Sequence, residues 1–386
     1  MKRSRSNKAA AIFAVLCLLI AGMGMADRSV PNDISAFSYG ELSVPSFASL
    51  GEADEHADEA TVTLFGLPFK KVKVNLYENV KLIPGGEAFG VKLRTRGVTV
   101  VGTGACGRVG EEREPAKEAG IGVNDVILCI DGKEIASSDE LTRLIAGSGG
   151  KPMRVTYERA GKQYETELKA ACDENGVYKA GMWVRDTVAG IGTVTFTEVE
   201  GGFTGGLGHG ICDNETGKLL PFNSGEIYDA HITGVKRGKP GEPGELRGYF
   251  GKDAIGEVIS NTEAGVFGVI DKEDVKREPV SIALKDDVKE GPAAIYCTVN
   301  GEGVKEYTAE ISRIISYESE TKNFIIRITD TRLLSETGGI VQGMSGSPVL
   351  QNGKLVGAVT HVLVNDPAKG YGIFIENMLD EAVRSK

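Results

Sequence analysis

After Cys172 the chain runs as short Gly-, Thr- and apolar-rich segments, beginning with Gly181-Met182-Trp183-Val184-Arg185-Asp186 and Gly190-Ile191-Gly192-Thr193-Val194-Thr195-Phe196. No long amphipathic helical pattern interrupts them before Asn377 to Ser385. Many short strands separated by glycine turns can bury an apolar face only by closing into a barrel or stacking as a sandwich. The 52 glycines agree, because glycine is favoured where the backbone takes positive φ or another chain segment approaches closely. The expected class is therefore mainly β.

At 386 residues the chain has room for two or three cores. A formal net charge of -10 argues against a nucleic-acid partner, which would need clustered Lys and Arg. The one basic cluster, Lys2, Arg3, Arg5 and Lys8, precedes an apolar or small run from Ala9 to Ala26. That order is the layout of an export signal or anchor over residues 1–26. Gly24-Met25-Ala26 has the small-x-small form of a cleavage site, while the run approaches spanning length; both outcomes fit, and retention is favoured. Residues 27–61, acidic around Gly51 to Glu59 and weakly periodic, read as a flexible spacer, with His56 a solvated member of it. Of six cysteines, Cys17 lies in the export segment, and Cys106, Cys129, Cys172, Cys212 and Cys297 form no C-x-x-C pairs. Neither a disulfide framework nor a zinc site is expected, and no metal or cofactor is called for.

Ordered structure is expected from Val62. Pro84-Gly85-Gly86 turns into Phe89-Gly90-Val91-Lys92-Leu93, and a second strand fits Val98 to Val101. Pro115 to Ile121 then reads as a short helix ending at Ala119-Gly120, followed by a strand in Asn124-Asp125-Val126-Ile127 and a turn at Asp131-Gly132. These features are similar to bacterial PDZ domains, with Asn124 and Asp131 standing where the family usually has Gly and Asn. A helix from Ser138 to Ile145, capped by Ser137 or Ser138, and strands Met153 to Arg159 and Lys162 to Leu168 fit the same pattern. A PDZ domain is thus expected over residues 62–172. By this resemblance a peptide would add as a strand along Glu87, Ala88, Phe89, Gly90, Val91, Lys92 and Leu93.

Serine hydrolysis needs a hydroxyl raised on a tight turn, a base, and amide donors around the developing oxyanion. Gly343-Met344-Ser345-Gly346-Ser347-Pro348 can supply the first and third: Ser345 as nucleophile, with the Gly343 and Ser345 amides as the oxyanion hole. Pro348 leads into what reads as a strand hairpin, so the trypsin-like G-x-S-G-[GS]-P pattern fits better than the strand-to-helix elbow of α/β hydrolases. Only four histidines exist. His231 lies in an apparent strand and His361 follows Ser345 by few residues. His209, in Leu207-Gly208-His209-Gly210, is flanked by glycines and precedes the serine, the order of two-barrel peptidases. Cys212, three residues on, should face away from it. For the acid, Asp330, Asp213 and Asp229 all remain open on spacing alone.

The PDZ pattern, Gly181 to Asp186, Gly190 to Thr193, Leu207-Gly208-His209-Gly210-Ile211-x-Asp213, Gly343 to Pro348 and Gly370 to Leu379 together resemble the stage IV sporulation protein B peptidases of endospore-forming bacteria. The resemblance implies a PDZ domain followed, over 173–386, by a trypsin-like two-β-barrel serine peptidase with His209, Asp330 and Ser345 as its triad. It also implies a signalling endopeptidase exported from the forespore into the intermembrane space, released or membrane-tethered. Its protein substrate there would be a membrane-bound regulator of an intramembrane metalloprotease, whose activation leads to late sigma factor processing. Self-cleavage near the N-terminus and PDZ-controlled activity come with it, the chain's own N-terminal region being one candidate PDZ ligand. By analogy with trypsin-like enzymes, Gly370, Tyr371 and Gly372 would pair with the substrate backbone. The alternative class is an inactive PDZ-containing scaffold that recruits a membrane partner.

Overall fold

The computed structural model describes residues 22–385 apart from 28, 39–40, 43, 52–58, 78–79, 213–216, 221, 272–276 and 318. The chain divides into two compact units. The first runs to Lys81 and also takes in Leu284–Asp287; the second holds Leu82–Ala283 and Val288–Lys386.

The first unit is a four-stranded sheet of β1 (Asp33–Ala36), β2 (Ser49–Leu50), β3 (Glu59–Leu64) and β4 (Leu67–Leu76), ordered β1-β4-β3-β2. Alternate positions Ala60, Val62, Val72 and Val74 join Val30 and Ile34 in its core, as period-two strands require. Phe65 and Gly66 make the β3–β4 turn, both at positive φ. Buried Lys285 is paired with Asp33. The expectation of a spacer over 27–61 and a PDZ domain from 62 is corrected here. The acidic composition hid the short Ala60/Val62 alternation, and residues 62–76 belong to this sheet. His56 and most of the acidic run lie outside the described residues, as do Cys17 and residues 1–21 of the export segment. No helix of the described residues is long and apolar enough to cross a membrane.

The second unit opens with β5 (Lys81–Pro84) and the 16-residue β6 (Ala88–Thr103). There follow α1 (Pro115–Glu118), β7 (Val126–Ile130), β8 (Lys133–Glu134), α2 (Ser138–Gly147), β9 (Met153–Arg159), β10 (Lys162–Leu168), β11 (Ala171–Cys172) and β12 (Tyr178–Lys179). The chain returns through the 17-residue β13 (Met182–Glu198), then β14 (Phe203–Gly206), β15 (Phe222–Lys236), β16 (Glu245–Thr262), β17 (Gly265–Ile270) and β18 (Val280–Ser281). The remaining elements are β19 (Gly291–Cys297), β20 (Lys305–Ile314), β21 (Phe324–Ile328), α3 (Thr331–Thr337), β22 (Pro348–Gln351), β23 (Lys354–Val362), β24 (Lys369–Phe374) and α4 (Ile375–Ser385).

Two barrels result. Strands β6-β15-β16-β17-β14-β13 run in order, and direct pairing of β6 with β13 closes the ring. Phe89, Val91, Leu93, Val194, Ile227, Val258 and Val266 fill it. The second barrel is β19-β20-β21-β24-β23-β22, filled by residues such as Ile295, Ile311, Phe324, Ile326, Val359 and Phe374. The fold is therefore mainly β, with barrels rather than the sandwich that the glycine-punctuated runs equally allowed, and it has the two barrels that the resemblance implied.

The PDZ module has its own core, including Val98, Ile127, Ile130, Leu141, Val155 and Leu168. Ser137 caps α2 by accepting the Glu140 amide (3.2 Å), matching one of the two caps expected. Asn124 (φ 70°) and Asp131 (φ 50°) occupy positive-φ turns, which Asn and Asp tolerate better than most side chains. The module does not precede the peptidase; it is spliced into its first barrel. The first half of β6 is a barrel strand, and the second half runs on into the module, pairing with β7 at Val98 and Thr99. β13 carries the chain back, paired with β6 from Met182↔Thr103 to Thr193↔Ala88. The boundary expected at 172/173 thus falls inside the module's connection back to the barrel.

Candidate active site

The Gly343 to Pro348 turn is fixed from below by β13. Thr193 donates its amide to the Ser345 carbonyl (2.9 Å) and its hydroxyl to the Gly343 carbonyl (2.8 Å). Thr195 donates its hydroxyl to the Gly346 carbonyl (2.7 Å). Gly346 sits at φ +95°, and a Cβ there would lie 2.0 Å from the Thr193 carbonyl oxygen and 2.4 Å from the Leu207 nitrogen. Only glycine fits. Within Gly343 to Ser347, Ser345 alone is partly exposed while its neighbours are buried. Its hydroxyl donates to the Thr360 carbonyl (2.5 Å) on β23. Met344, Gly346 and Ser347 donate their amides to Val341, Val359 and Met344 carbonyls. Among the described residues, no acceptor is recorded for the Gly343 and Ser345 amides, the two expected to form an oxyanion hole.

His209 lies in the loop after β14. Leu207 and Gly208, both at φ 67°, turn the chain over β23 and β24, where a Cβ on Gly208 would meet Thr360 and Ile373 methyls at 3.0 and 3.1 Å. Buried Asn261 on β16 anchors the far side, accepting the Ile211 amide (2.8 Å) and donating to the Ile211 carbonyl (2.9 Å). His209 is half-buried between buried glycines. Its Nδ1 lies 2.9 Å from the Gly210 carbonyl. That contact calls for the tautomer with the proton on Nδ1, leaving Nε2 as an acceptor. Burial lowers the His209 pKa, only partly opposed by the Gly210 carbonyl, so the ring rests neutral as a base must.

The closely packed neighbour of this imidazole is another one. The ring centroids of His209 and His361 are 4.4 Å apart, with the planes inclined at 35°. His361 ends the stretch of β23 that offers Thr360 to Ser345, so Ser345, His209 and His361 form one cluster across the two barrels. Desolvation, the adjacent His209 ring and the Lys322 ammonium push the His361 pKa down to about 4, although the residue as a whole is exposed to solvent.

The expected acid is elsewhere engaged. Asp330 is the N-cap of α3, accepting from the Arg332 and Leu333 amides (2.9 and 3.3 Å) and the Thr308 amide (3.4 Å). The Arg332 guanidinium forks onto it at 3.1 and 2.8 Å and, more than any other contact, holds its pKa down at about 2. Its carboxylate is thereby engaged, and among the described residues no hydrogen bond or ion pair joins it to His209. Asp213 lies outside the described residues. Asp229 is on β15 opposite Phe89, and His231 makes a tilted ring contact with Tyr249 (5.1 Å). Cys212 is close to Gly210, its Sγ 3.7 Å from that carbonyl.

Two other expectations are corrected. Gly370, Tyr371 and Gly372 cannot pair with a substrate backbone, because β24 is flanked by β21 (Gly372↔Phe324, Gly370↔Ile326) and by β23 (Gly372↔Val359, Gly370↔Val362). Residues Glu87 to Leu93 offer no open edge either: Phe89 to Leu93 are paired with β15 on one side and β13 on the other, Phe89 for instance lying between Asp229 and Gly192. The module's open groove lies instead between α2 and the chain entering β13. It has a volume of about 490 Å³ and is lined by Leu141, Ile145, Tyr178, Met182, Trp183 and Val184. Over 182–185, β13 pairs with β6 on one edge only among the described residues. Spacing alone did not single out Thr193, Thr195, Asn261 or His361; the Thr-x-Thr alternation was the one available signal, since it puts both hydroxyls on one face of a strand.

The SpoIVB peptidase S55 family model matches residues 176–379, and a PDZ domain model matches 89–170. A Neisseria meningitidis protein named as a zinc metalloprotease is 39% identical over 59 residues, which is 15% of this chain and 13% of that protein. Among solved structures, the PDZ domain of an SdrC-like protein of Listeria monocytogenes is 24% identical, covering 24% of this chain and 90% of its own, with a TM-score of 0.20. The Rv3671c protease of M. tuberculosis in its active form is 15% identical, covering 51% and 74%, with a TM-score of 0.32.

Proposed function

Because the chain belongs to the SpoIVB peptidase S55 family and is a serine endopeptidase carrying a PDZ domain, we propose that Ser345 attacks the scissile carbonyl with His209 as its base. The observation that carries this reading is the convergence of the two loops: Gly346 packs against Leu207 while solvent reaches Ser345 and His209. In the first step the Ser345 hydroxyl leaves the Thr360 carbonyl, gives its proton to His209 Nε2 and forms the bond to the carbonyl carbon. The Gly343 and Ser345 amides receive the oxyanion, and the imidazolium then protonates the leaving amine. No step calls for a metal ion.

The finer reading follows the family. The substrate is a membrane-bound regulator of an intramembrane metalloprotease, met in the space between forespore and mother cell, and the cut leads to late sigma factor processing. The N-terminal segment holds the enzyme at the membrane until self-cleavage releases it. The PDZ groove between α2 and β13 takes an extended peptide, with the chain's own N-terminal region as one ligand. A scaffold without activity is the competing reading; the Ser345 hydroxyl bonded to Thr360 rather than to His209 speaks for it.

The test compares the wild-type chain with Ser345→Ala and His209→Ala for self-cleavage and fluorophosphonate labelling. Loss in both variants is expected; equal behaviour in all three would leave the scaffold reading standing.

A further inference from the structure

We propose that the tip of the β3–β4 hairpin, with Phe65 and Leu67 at its end, is a lipid-contacting surface that seats the first unit on the bilayer. The inference rests on the reading of the N-terminal segment as a membrane anchor.

Large apolar side chains left in water are unremarkable when scattered and informative when gathered. In the first unit Phe65 is 98% exposed, Leu67 and Met25 71% each, and Met23 57%. They are gathered. Met23, Met25, Phe47, Leu64 and Phe65 line one apolar hollow of about 400 Å³, and Leu67 pairs with Leu64 across the turn. The turn itself does not ask for such residues. Phe65 and Gly66 stand at φ 52° and 78°, a left-handed pair for which Asn-Gly or Asp-Gly is the soluble and relaxed choice. A bulky side chain at positive φ is strained, and at Phe65 no burial offsets that strain.

What covers this face follows from where the chain goes. The run from Ala9 to Ala26 carries no charged residue and approaches the length that crosses a hydrocarbon core. Its last residues, from 22, are helical and bring Met23 and Met25 into the hollow beside Phe65. The exit is pinned to the sheet: Lys70 on β4 donates to the Asp27 and Val30 carbonyls (3.2 and 2.8 Å), and Val30 is buried in the core. Lipid that holds Met23 and Met25 therefore meets Phe65 and Phe47 at the same level. Charge agrees. From Ala60 to Leu76 the hairpin carries Lys70, Lys71 and Lys73 and no carboxylate, which suits anionic headgroups. Glu59 stands at the end of β3 away from the tip. A single spanning segment leaves a domain free to pivot, whereas a second apolar contact beside its exit sets the tilt of the sheet.

The experiment reconstitutes the full chain in vesicles of phosphatidylcholine and phosphatidylglycerol and reads tryptophan emission against lipids brominated in the upper acyl chain. Trp183, the one tryptophan of the chain, is first replaced by Phe, and Phe65→Trp then puts the reporter at the tip. Its emission should shift to the blue and fall about twofold or more with brominated lipid, as for a side chain entering the headgroup–acyl boundary. Glu59→Trp in the same background sits about 20 Å along the strand, at roughly 3.3 Å per residue, and should stay unquenched. Adding Leu67→Asp should weaken the quenching at the tip at least about twofold. No quenching at the tip, equal quenching at both positions, or quenching indifferent to Leu67→Asp would each overturn the inference. So would a blue shift that follows protein concentration and ignores bromine, which assigns the face to a second copy of the chain. If Phe65→Trp does not fold, Leu67→Trp carries the reporter instead. Alkaline carbonate extraction separates the two readings: a chain stripped from the vesicles sinks the anchor and this inference with it, whereas a retained chain with an unquenched tip sinks the inference alone.

Discussion

Thr193, on a strand of the first barrel, donates its amide to the Ser345 carbonyl of the second at 2.9 Å. Its hydroxyl takes the Gly343 carbonyl, so one residue grips the turn at two points. Thr193→Val keeps the amide bond and the shape but leaves a buried carbonyl unpaired, at a cost of about 2 kcal/mol. The thermal midpoint should fall accordingly. Because the Gly343 amide is half of the proposed oxyanion site, the saturating labelling rate at Ser345 should fall further than stability alone explains. A variant that melts lower and labels at the wild-type rate would show that the grip is structural only.

Thr360 presents the opposite case. Its hydroxyl is buried with no hydrogen-bond partner among the described residues, although its carbonyl serves Ser345. Replacing an unsatisfied buried hydroxyl by a methyl of the same shape relieves a desolvation cost. Thr360→Val is therefore expected to match or exceed wild-type stability, by up to about 1 kcal/mol, despite its place beside the nucleophile. A clear loss in chemical denaturation would mean that the hydroxyl has an acceptor during breathing of the site.

In the PDZ module, Asp125 is fully buried and is gripped by Arg159 through two bonds of 2.6 Å, with the Gly122 amide at 2.7 Å. Arg159→Met removes the charge partner and leaves the carboxylate buried, which costs about 3 kcal/mol. Asp125→Asn should cost less, since Arg159 is half exposed and can turn to water. Urea unfolding of the two variants checks the order.

Asp330 gives a prediction in pH. Its folded pKa lies near 2, below the ordinary 3.8. A depressed carboxylate pKa adds stability that is fully present above the unfolded value and disappears as pH falls through the folded one. The gap in thermal midpoint between wild type and Asp330→Asn, which caps but does not titrate, should be constant above about pH 5 and should close towards pH 2. A gap independent of pH would remove the Arg332 pairing from the account.

Much of the site was legible because its chemistry needs unusual local sequence. Ser345 and His209 each sit between glycines, and those glycines are required by positive φ or by backbone within 2–3 Å. The PDZ helix was readable from its Ser137 cap. Asp330 was put forward by the family resemblance, not by spacing, and its local sequence carries a second signal: Asp before Thr331, then Gly338 at φ 75°, spells a capped short helix. His361 was discounted for following Ser345 by few residues, yet a hairpin returns the chain beside its start. The insertion of the module left no mark at all. Strands β6 and β13 run unbroken from barrel into module, with no Pro, Ser-rich or charged linker where one domain becomes the other.

That continuity bears on how the molecule reaches its native state. Pairing Ala88 with Thr193 closes a loop of 105 residues, and bringing such distant ends together costs on the order of 4 kcal/mol in chain entropy. A module already folded holds Thr103 against Met182 and delivers the two halves of the ribbon side by side. On that order of events the first barrel is expected to zip from the module outward, with the Thr193 grip on Ser345 forming late. A lesion that only slows module folding is then expected to surface as a delay in the appearance of activity, which refolding followed by labelling at Ser345 would measure.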